Sequence, residues 1–348
     1  MSDMFRNFIL FIALTVVSAA AGALEFKDGL DAYKRHDLPH AVRIFTMLAE
    51  RGDAQAQFAM GMLYNKGEGV EKNDATAVQW YTRSAEAGFA RAQLNLAVMY
   101  ENGEGVAKDR NVARQWLREA ATQGNADALT RLQKQAEEND VDTQFDLAGI
   151  CAVGNGIDKD EAMARKWYER AAKSGNARAR YNLAVLSIAA GDAATAARWY
   201  EKAAAQQHAA AAFNLALLYL NGNGVAKDAA RAVQLLQQAA KAGTQSARYQ
   251  LALLYSDGKL VARDAAQAQR WFEAAARSGH VPSQVDLGSL YANNGGADLI
   301  KACAWYMMAA NSSAEAKRNL DRITPHLNAG ELDQARQMLP SLLDASNS

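Results

Sequence analysis

Residues 90–124 read ARAQLNLAVMYENGEGVAKDRNVARQWLREAATQG. Apolar residues recur at helical spacing on both sides of a Gly-x-Gly interruption, so the stretch is two helices, A and B, joined by a turn. Its tryptophan, Trp116, is one of six; the others are Trp80, Trp167, Trp199, Trp271 and Trp305, and successive spacings are 36, 51, 32, 72 and 34 residues. The gap of 72 holds two units with Leu235 in the middle slot, and Ile44 fills the slot one unit before Trp80. A self-similarity of this period marks an array of helix pairs, each burying its apolar face against its neighbours.

The columns around the tryptophan sharpen that reading. Three residues before the slot stands alanine every time, as Ala41, Ala77, Ala113, Ala164, Ala196, Ala232, Ala268 and Ala302. Seven before it comes Asp37, Asn73, Asp109, Asp160, Asp192, Asp228, Asp264 or Asp298, the short oxygen-bearing side chain expected at a helix N-cap. Helix B then runs to a glycine such as Gly52, Gly88, Gly124, Gly175, Gly243 or Gly279, suited to the left-handed residue that ends a helix. Helix A ends at Tyr64, Tyr100, Cys151, Ser187, Tyr219, Tyr255 or Tyr291, and a glycine pair such as Gly103 and Gly105 makes the turn. That glycine pair is no phosphate loop, because neither a preceding strand nor a following Lys-Ser/Thr accompanies it.

The unit in 90–124 resembles the Sel-one-like repeat, a relative of the tetratricopeptide repeat. The likeness covers about residues 26–312, and 313–343 resembles the capping helix pair that closes such arrays. It implies an all-α fold, a right-handed superhelical solenoid of antiparallel helix pairs, used as a scaffold or adaptor and often found in bacterial envelopes. The family carries no general catalytic residues over to this chain. Some cysteine-rich exported members are linked to binding or hydrolysing β-lactams, so an enzyme of that kind is one alternative function, and a periplasmic regulator of a sensor kinase is another. The β-lactam relatives staple helix A to helix B with a cysteine pair in most units, whereas this chain has only Cys151 and Cys303. Those two fall on packed faces of distant units, which predicts buried, unreactive thiols.

Composition excludes several other classes. Lys plus Arg and Asp plus Glu number 38 each, so no basic footprint for nucleic acid exists. All the tryptophans and tyrosines fall into repeat columns, Tyr33 among them if the first unit lacks five loop residues, and none is left as a stacking platform for bases or sugars. The opening MSDMFRNFILFIALTVVSAAAGALEF has the charge, apolar run and Ala21-Gly22-Ala23 ending of a secretory signal peptide. Residues 1–23 are therefore expected to be removed, leaving a periplasmic or secreted protein without a membrane span. The predicted domains are N-terminal repeats over 24–138, C-terminal repeats over 139–312, and a capping pair with a short tail over 313–348.

The pattern breaks between Trp116 and Trp167, where Ala126 to Asp140 exceed the unit. Ala126 to Glu138 begins like helix A but reaches no Gly-x-Gly turn, and helix A restarts at Val141. Either a degenerate unit that lost helix B or a functional insertion that redirects the superhelix produces this, with a junction near Asn139 in both cases.

No metal or cofactor site is expected. His36 and His40 have ligand-like spacing, but Asp37 and Pro39 put them at a turn without a third ligand, and no nucleophile motif is present. The candidate binding residues lie five before the helix-A tyrosine slot: Asn95, Asp146, Asn182, Asn214, Gln250 and Asp286, with Ala59 in the first full unit. In an array they form a polar ladder. Such a ladder either holds the backbone of a partner protein or extended peptide, or hydrogen-bonds between helices to keep the stack in register.

Overall fold

The structure, a computed structural model, describes residues 25–294, 296 and 298–343. The predicted signal segment lies outside them. The helices are α1 Phe26–Lys34, α2 Leu38–Glu50, α3 Ala54–Lys66, α4 Asp74–Glu86, α5 Ala90–Asn102, α6 Arg110–Thr122, α7 Ala126–Glu137, α8 Val141–Val153, α9 Glu161–Lys173 and α10 Ala177–Ala189. They continue with α11 Ala193–Ala204, α12 Ala209–Asn221, α13 Ala229–Lys241, α14 Gln245–Asp257, α15 Ala265–Arg277, α16 Val281–Asn294, α17 Asp298–Ala309, α18 Ala314–Ile323 and α19 Ala329–Leu343. Among the described residues there is no strand. The chain forms two compact units, divided at Arg170 and Ala171. Each is an array of consecutively packed helix pairs, the all-α repeat fold that the sequence predicts.

The helix boundaries follow from the columns. Asn73, Asp109, Asp228 and Asp264 each accept a backbone N–H of the first turn of helix B, satisfying donors that a helix start leaves orphaned. Asp298 is instead the first residue of α17 and pairs with Lys301 at 2.9 Å. The alanines three before the tryptophan slot are at most 1% exposed. A larger side chain there would have to displace packed neighbours, which accounts for the constancy of the column.

The tryptophan is not the deepest ring. Trp80, Trp116, Trp199 and Trp271 are only half-buried, while the next residue in each of these units, Tyr81, Leu117, Tyr200 or Phe272, is at most 4% exposed. Outer tryptophan faces are covered by cations: Arg83 lies 4.8 Å from the Trp80 ring and Lys202 4.6 Å from Trp199, contacts worth about 0.5–1 kcal/mol each at exposed sites.

Unit 1, up to Arg170, holds both ordinary junctions and the break. At the α4–α5 junction Gln93 meets Ala85, Asn95 meets Tyr81, and Gly105 meets Asp74. One set of numbers rises as the other falls, so the helices are antiparallel. At the break, α6 pairs with α8 through Arg114 to Asp142, Arg118 to Asp146 and Ala121 to Gly156. Here both sets rise together, so α8 runs parallel to α6. The inserted α7 is a single helix, and an odd helix in an up-down array reverses the direction of the next one, α8. Asn139 makes the corner in the left-handed conformation, with φ of 69°.

Unit 2, from Ala171, packs two contiguous cores. One centres on Tyr200, Leu215, Leu236 and Leu251; the other, on Phe272, Trp305 and Tyr306, extends to Ile323 and Leu342 of the capping helices. Cys151 in unit 1 and Cys303 in unit 2 are free and buried, and burial pushes both thiols up from their ordinary pKa. Among the described residues no helix is long and apolar enough to cross a membrane.

Candidate functional site

The ladder residues do not all do the same thing. Asn95 donates its amide to the hydroxyl of Tyr81 at 3.1 Å, and Asn214 does the same to Tyr200 at 3.1 Å. In each case the asparagine is fourteen residues beyond the tyrosine, on the helix A that packs against the tyrosine's helix B. Asp286 accepts from the Tyr249 hydroxyl at 2.9 Å. Asn182 on α10 and Gln250 on α14 are half-buried.

Asp146 leaves the ladder. Fourteen residues before it stands Leu132, which offers no hydroxyl, and the reversal at α7 turns the carboxylate onto α6 instead. There it hydrogen-bonds Arg114 and lies 3.4 Å from Arg118, with its side chain only 4% exposed. Asp142 lies 3.7 Å from the same Arg114.

The Tyr81–Asn95 pair forms part of a cavity of about 630 Å³ walled chiefly by α5 and α7. Leu94, Val98 and Met99 give it an apolar wall, and Asp127, Arg131 and Lys134 of α7 a charged one. Burial pushes the Tyr81 phenol up to about 12, so it stays a neutral hydroxyl. While its oxygen accepts from Asn95, that hydroxyl still has its own hydrogen to donate, and Asn95 keeps a carbonyl oxygen that accepts. The pair thus presents one donor and one acceptor side by side, the combination that a peptide unit requires.

A second polar column escapes a reading of the sequence alone. Gln57, Gln93, Gln144 and Gln284 donate to the carbonyl oxygens of Ala49, Ala85, Ala136 and Ala276 at 2.9–3.1 Å. Arg180 and Arg248 use Nε in the same way on Ala172 and Ala240. Each acceptor is the next-to-last residue of the preceding helix, where carbonyls lack intrahelical partners. The signal was a long polar residue recurring near the start of otherwise apolar A helices.

His36 and His40 flank the start of α2 as expected, His36 in a left-handed turn with φ of 62° and His40 donating its backbone N–H to Asp37. Among the described residues no group of three His, Cys, Asp or Glu is placed to hold a metal ion. In unit 2, His280 Nδ1 lies 2.8 Å from Ser283 Oγ, with Asp286 nearby. This resembles a nucleophile and its base, but Ser283 is fully buried and the same Nδ1 accepts the Ser283 backbone N–H. The grouping is a helix cap.

Among models of protein families, the Sel1 repeat matches residues 54–89, 90–125, 141–176, 177–208, 209–244, 245–280 and 281–313. No curated protein matches the chain. Similar solved structures include a protective antigen of uropathogenic Escherichia coli described as displaying an SLR fold. It is 25% identical, with 95% of this chain and 94% of that chain covered and a TM-score of 0.40. A Sel1 repeat protein from Oxalobacter formigenes is 29% identical, with 73% of this chain and 100% of that chain covered and a TM-score of 0.41. An immunity protein from Pseudomonas aeruginosa, Pa5087, is 19% identical, with 66% and 83% covered and a TM-score of 0.34.

Proposed function

Because the chain belongs to the Sel1 repeat family, whose repeats generally serve as protein-interaction scaffolds, we propose that it is an exported bacterial adaptor that binds an extended segment of a partner protein on its helix-A face. The observation that carries this reading is the Tyr81–Asn95 pair in the cavity between α5 and α7. A donor and an acceptor beside an apolar wall and a charged wall suit a peptide, whose backbone needs both and whose side chains are mixed. The Tyr200–Asn214 pair repeats the motif in unit 2. Export rests on the sequence of residues 1–23 and predicts a processed protein beginning at Leu24.

The test is a photo-crosslinking amino acid at position 98 in intact cells, followed by mass spectrometry of what is captured. A defined protein partner is expected, and Asn95→Ala should reduce its capture while the melting temperature changes by only a few degrees. Capture that is indifferent to Asn95 would leave the pair as architecture alone.

A further inference from the structure

Beside the Tyr81–Asn95 cavity lies a second, apolar one, a notch of about 230 Å³ between α1, α3 and the start of α5. We propose that this notch receives an aromatic side chain flanked by acidic residues, from an extended peptide of the partner protein. The inference rests on the protein-binding reading of the helix-A face and says what kind of sequence that face selects.

Three features build the notch. Ala59 occupies the ladder position, so a methyl group lines this site where Asn95 and Asn214 place amides in later units. Ring pairs flank it, Phe26 with Phe45 at 5.3 Å between centroids and Phe58 with Phe89 at 5.2 Å. Phe89 itself stands at the N-cap of α5 and makes no side-chain cap bond, whereas Asp53, Asn125 and Asp140 cap α3, α7 and α8. A cap of this kind is worth about 1 kcal/mol. At α5 that contribution is given up and a ring stands against the notch instead.

Size and charge narrow the occupant. An apolar cavity of about 150 Å³ already holds benzene, so this one accommodates an aromatic ring. Arg91 is the charged side chain among its lining residues and is exposed, and the N-terminal end of α5 carries the same sign. Carboxylates next to the anchoring ring complement both. The notch and the polar cavity lie on either side of a ring contact, Phe58 with Tyr81 at 5.7 Å between centroids. A chain anchored in the notch that crosses this ring contact reaches the Tyr81–Asn95 pair.

Three fluorescein-labelled peptides, GSDWDSG, GSKWKSG and GSDADSG, titrated against the processed chain from Leu24 onward by fluorescence anisotropy, test this. The first should bind about thirtyfold more tightly than the third, the usual effect of losing an anchoring aromatic, and a few-fold more tightly than the second. Met62→Glu should abolish binding of the first. Arg91→Glu, at an exposed position, should reverse the preference between the first two while the thermal melt stays unchanged. Equal affinity for all three peptides, or a preference that survives Arg91→Glu, overturns the proposal. A dimer dispersed by Met62→Glu would make the occupant a second copy and overturns the proposal equally. Partner capture from position 98 with no peptide discrimination would leave the scaffold reading standing without the notch; discrimination without capture would do the reverse.

Discussion

The α4–α5 junction and the α6–α8 region use nearly the same residue types to opposite ends. At the first, a ladder asparagine on helix A meets a tyrosine on the antiparallel helix B before it, and a neutral hydrogen bond faces a cavity. At the second, one extra helix reverses the direction of α8. The ladder residue Asp146 then becomes a buried carboxylate held by two arginines of a parallel helix. Each glycine pair follows its own helix A. Gly105 brings its turn against the N-terminal end of α4, whereas Gly156 brings its turn against the C-terminal end of α6, at Ala121 and Gly124. A column read from sequence thus fixes where a residue lies on its own helix. What it meets depends on whether the count of helices before it is odd or even.

The largest effect should come from the break. Removing Asp146 leaves Arg114, itself only 17% exposed, without its buried partner, and breaking such a pair costs about 3–5 kcal/mol. Urea unfolding of Asp146→Ala should register a loss of that order, and replacing Arg114 and Asp146 together by Met and Leu should recover most of it. A single-variant cost under about 1 kcal/mol would mean that the ion pair does not hold α8 to α6. Next come the glycines. A Cβ on Gly105 or Gly156 would lie 2.3 Å from backbone atoms of α4 or α6, while one on Gly52 meets nothing within 4 Å. All three have positive φ, so Gly52→Ala pays only the left-handed strain, about 1–2 kcal/mol. Gly105→Ala and Gly156→Ala should cost clearly more. Equal melting temperatures for the three alanine variants would contradict the two close approaches.

Much of this was legible beforehand, for a physical reason. Burial that admits nothing larger than a methyl group, as at Ala77 and Ala113, and caps that admit only short oxygen-bearing side chains, as at Asn73 and Asp109, constrain residue identity locally and so print themselves on the sequence. The insertion at 126–140 was visible as an excess of length. Its consequence was not, because no local pattern records that α8 is parallel to α6. The Gln57–Gln93–Gln144 column was equally present in the sequence, yet long polar residues near a helix start suggest a solvated face until their acceptors are seen. The candidate site was half readable. Asn95 stands out in the alignment, but its partner Tyr81 is simply the next residue in an aromatic pair, and Ala59 gains meaning only from the rings around it.

The ordinary junctions can be compared among themselves. Tyr81→Phe and Tyr200→Phe each delete one acceptor from a half-buried asparagine, an effect of about 1 kcal/mol. Phe272 already lacks the hydroxyl, so Phe272→Tyr places one fourteen residues before Asp286, where Tyr249 donates. Differential scanning calorimetry should rank the first two as similar destabilisations. A negligible effect at Tyr81 would show that its pair is maintained for what it offers the adjoining cavity and not for the stack.

The smallest effect separates helix-A starts capped by an oxygen from those capped by a histidine. Asp53, Asn125 and Asp140 cap α3, α7 and α8 in unit 1 and Asn176 caps α10 in unit 2, but His208 and His280 occupy the corresponding column at α12 and α16, with Nδ1 of each accepting a backbone N–H three residues on. Each imidazole also packs on a tyrosine of the preceding helix A, His208 on Tyr181 at 4.9 Å and His280 on Tyr249 at 4.8 Å. Only a neutral Nδ1 accepts, so protonation breaks the cap. Burial holds both rings below the ordinary value of 6.5, with Arg178 pressing His208 the same way and Asp286 opposing at His280. A histidine with a lowered folded pKa is protonated more readily when unfolded, so its contribution is complete above 6.5 and is lost as pH falls from there through the folded pKa. Asp286, raised mainly by burial, acts in the opposite sense, which makes His208 the cleaner probe. Relative to the intrinsic exchange rate at each pH, protection should therefore fall at the start of α12 between pH 7.5 and 5.5 while the starts of α7 and α8 keep theirs, the cap being worth about 1 kcal/mol. His208→Asn, which caps through an oxygen at either pH, should remove that acid response and leave exchange at pH 7.5 nearly unchanged. An acid response that persists in His208→Asn would place the sensitivity elsewhere in unit 2 and break the contrast.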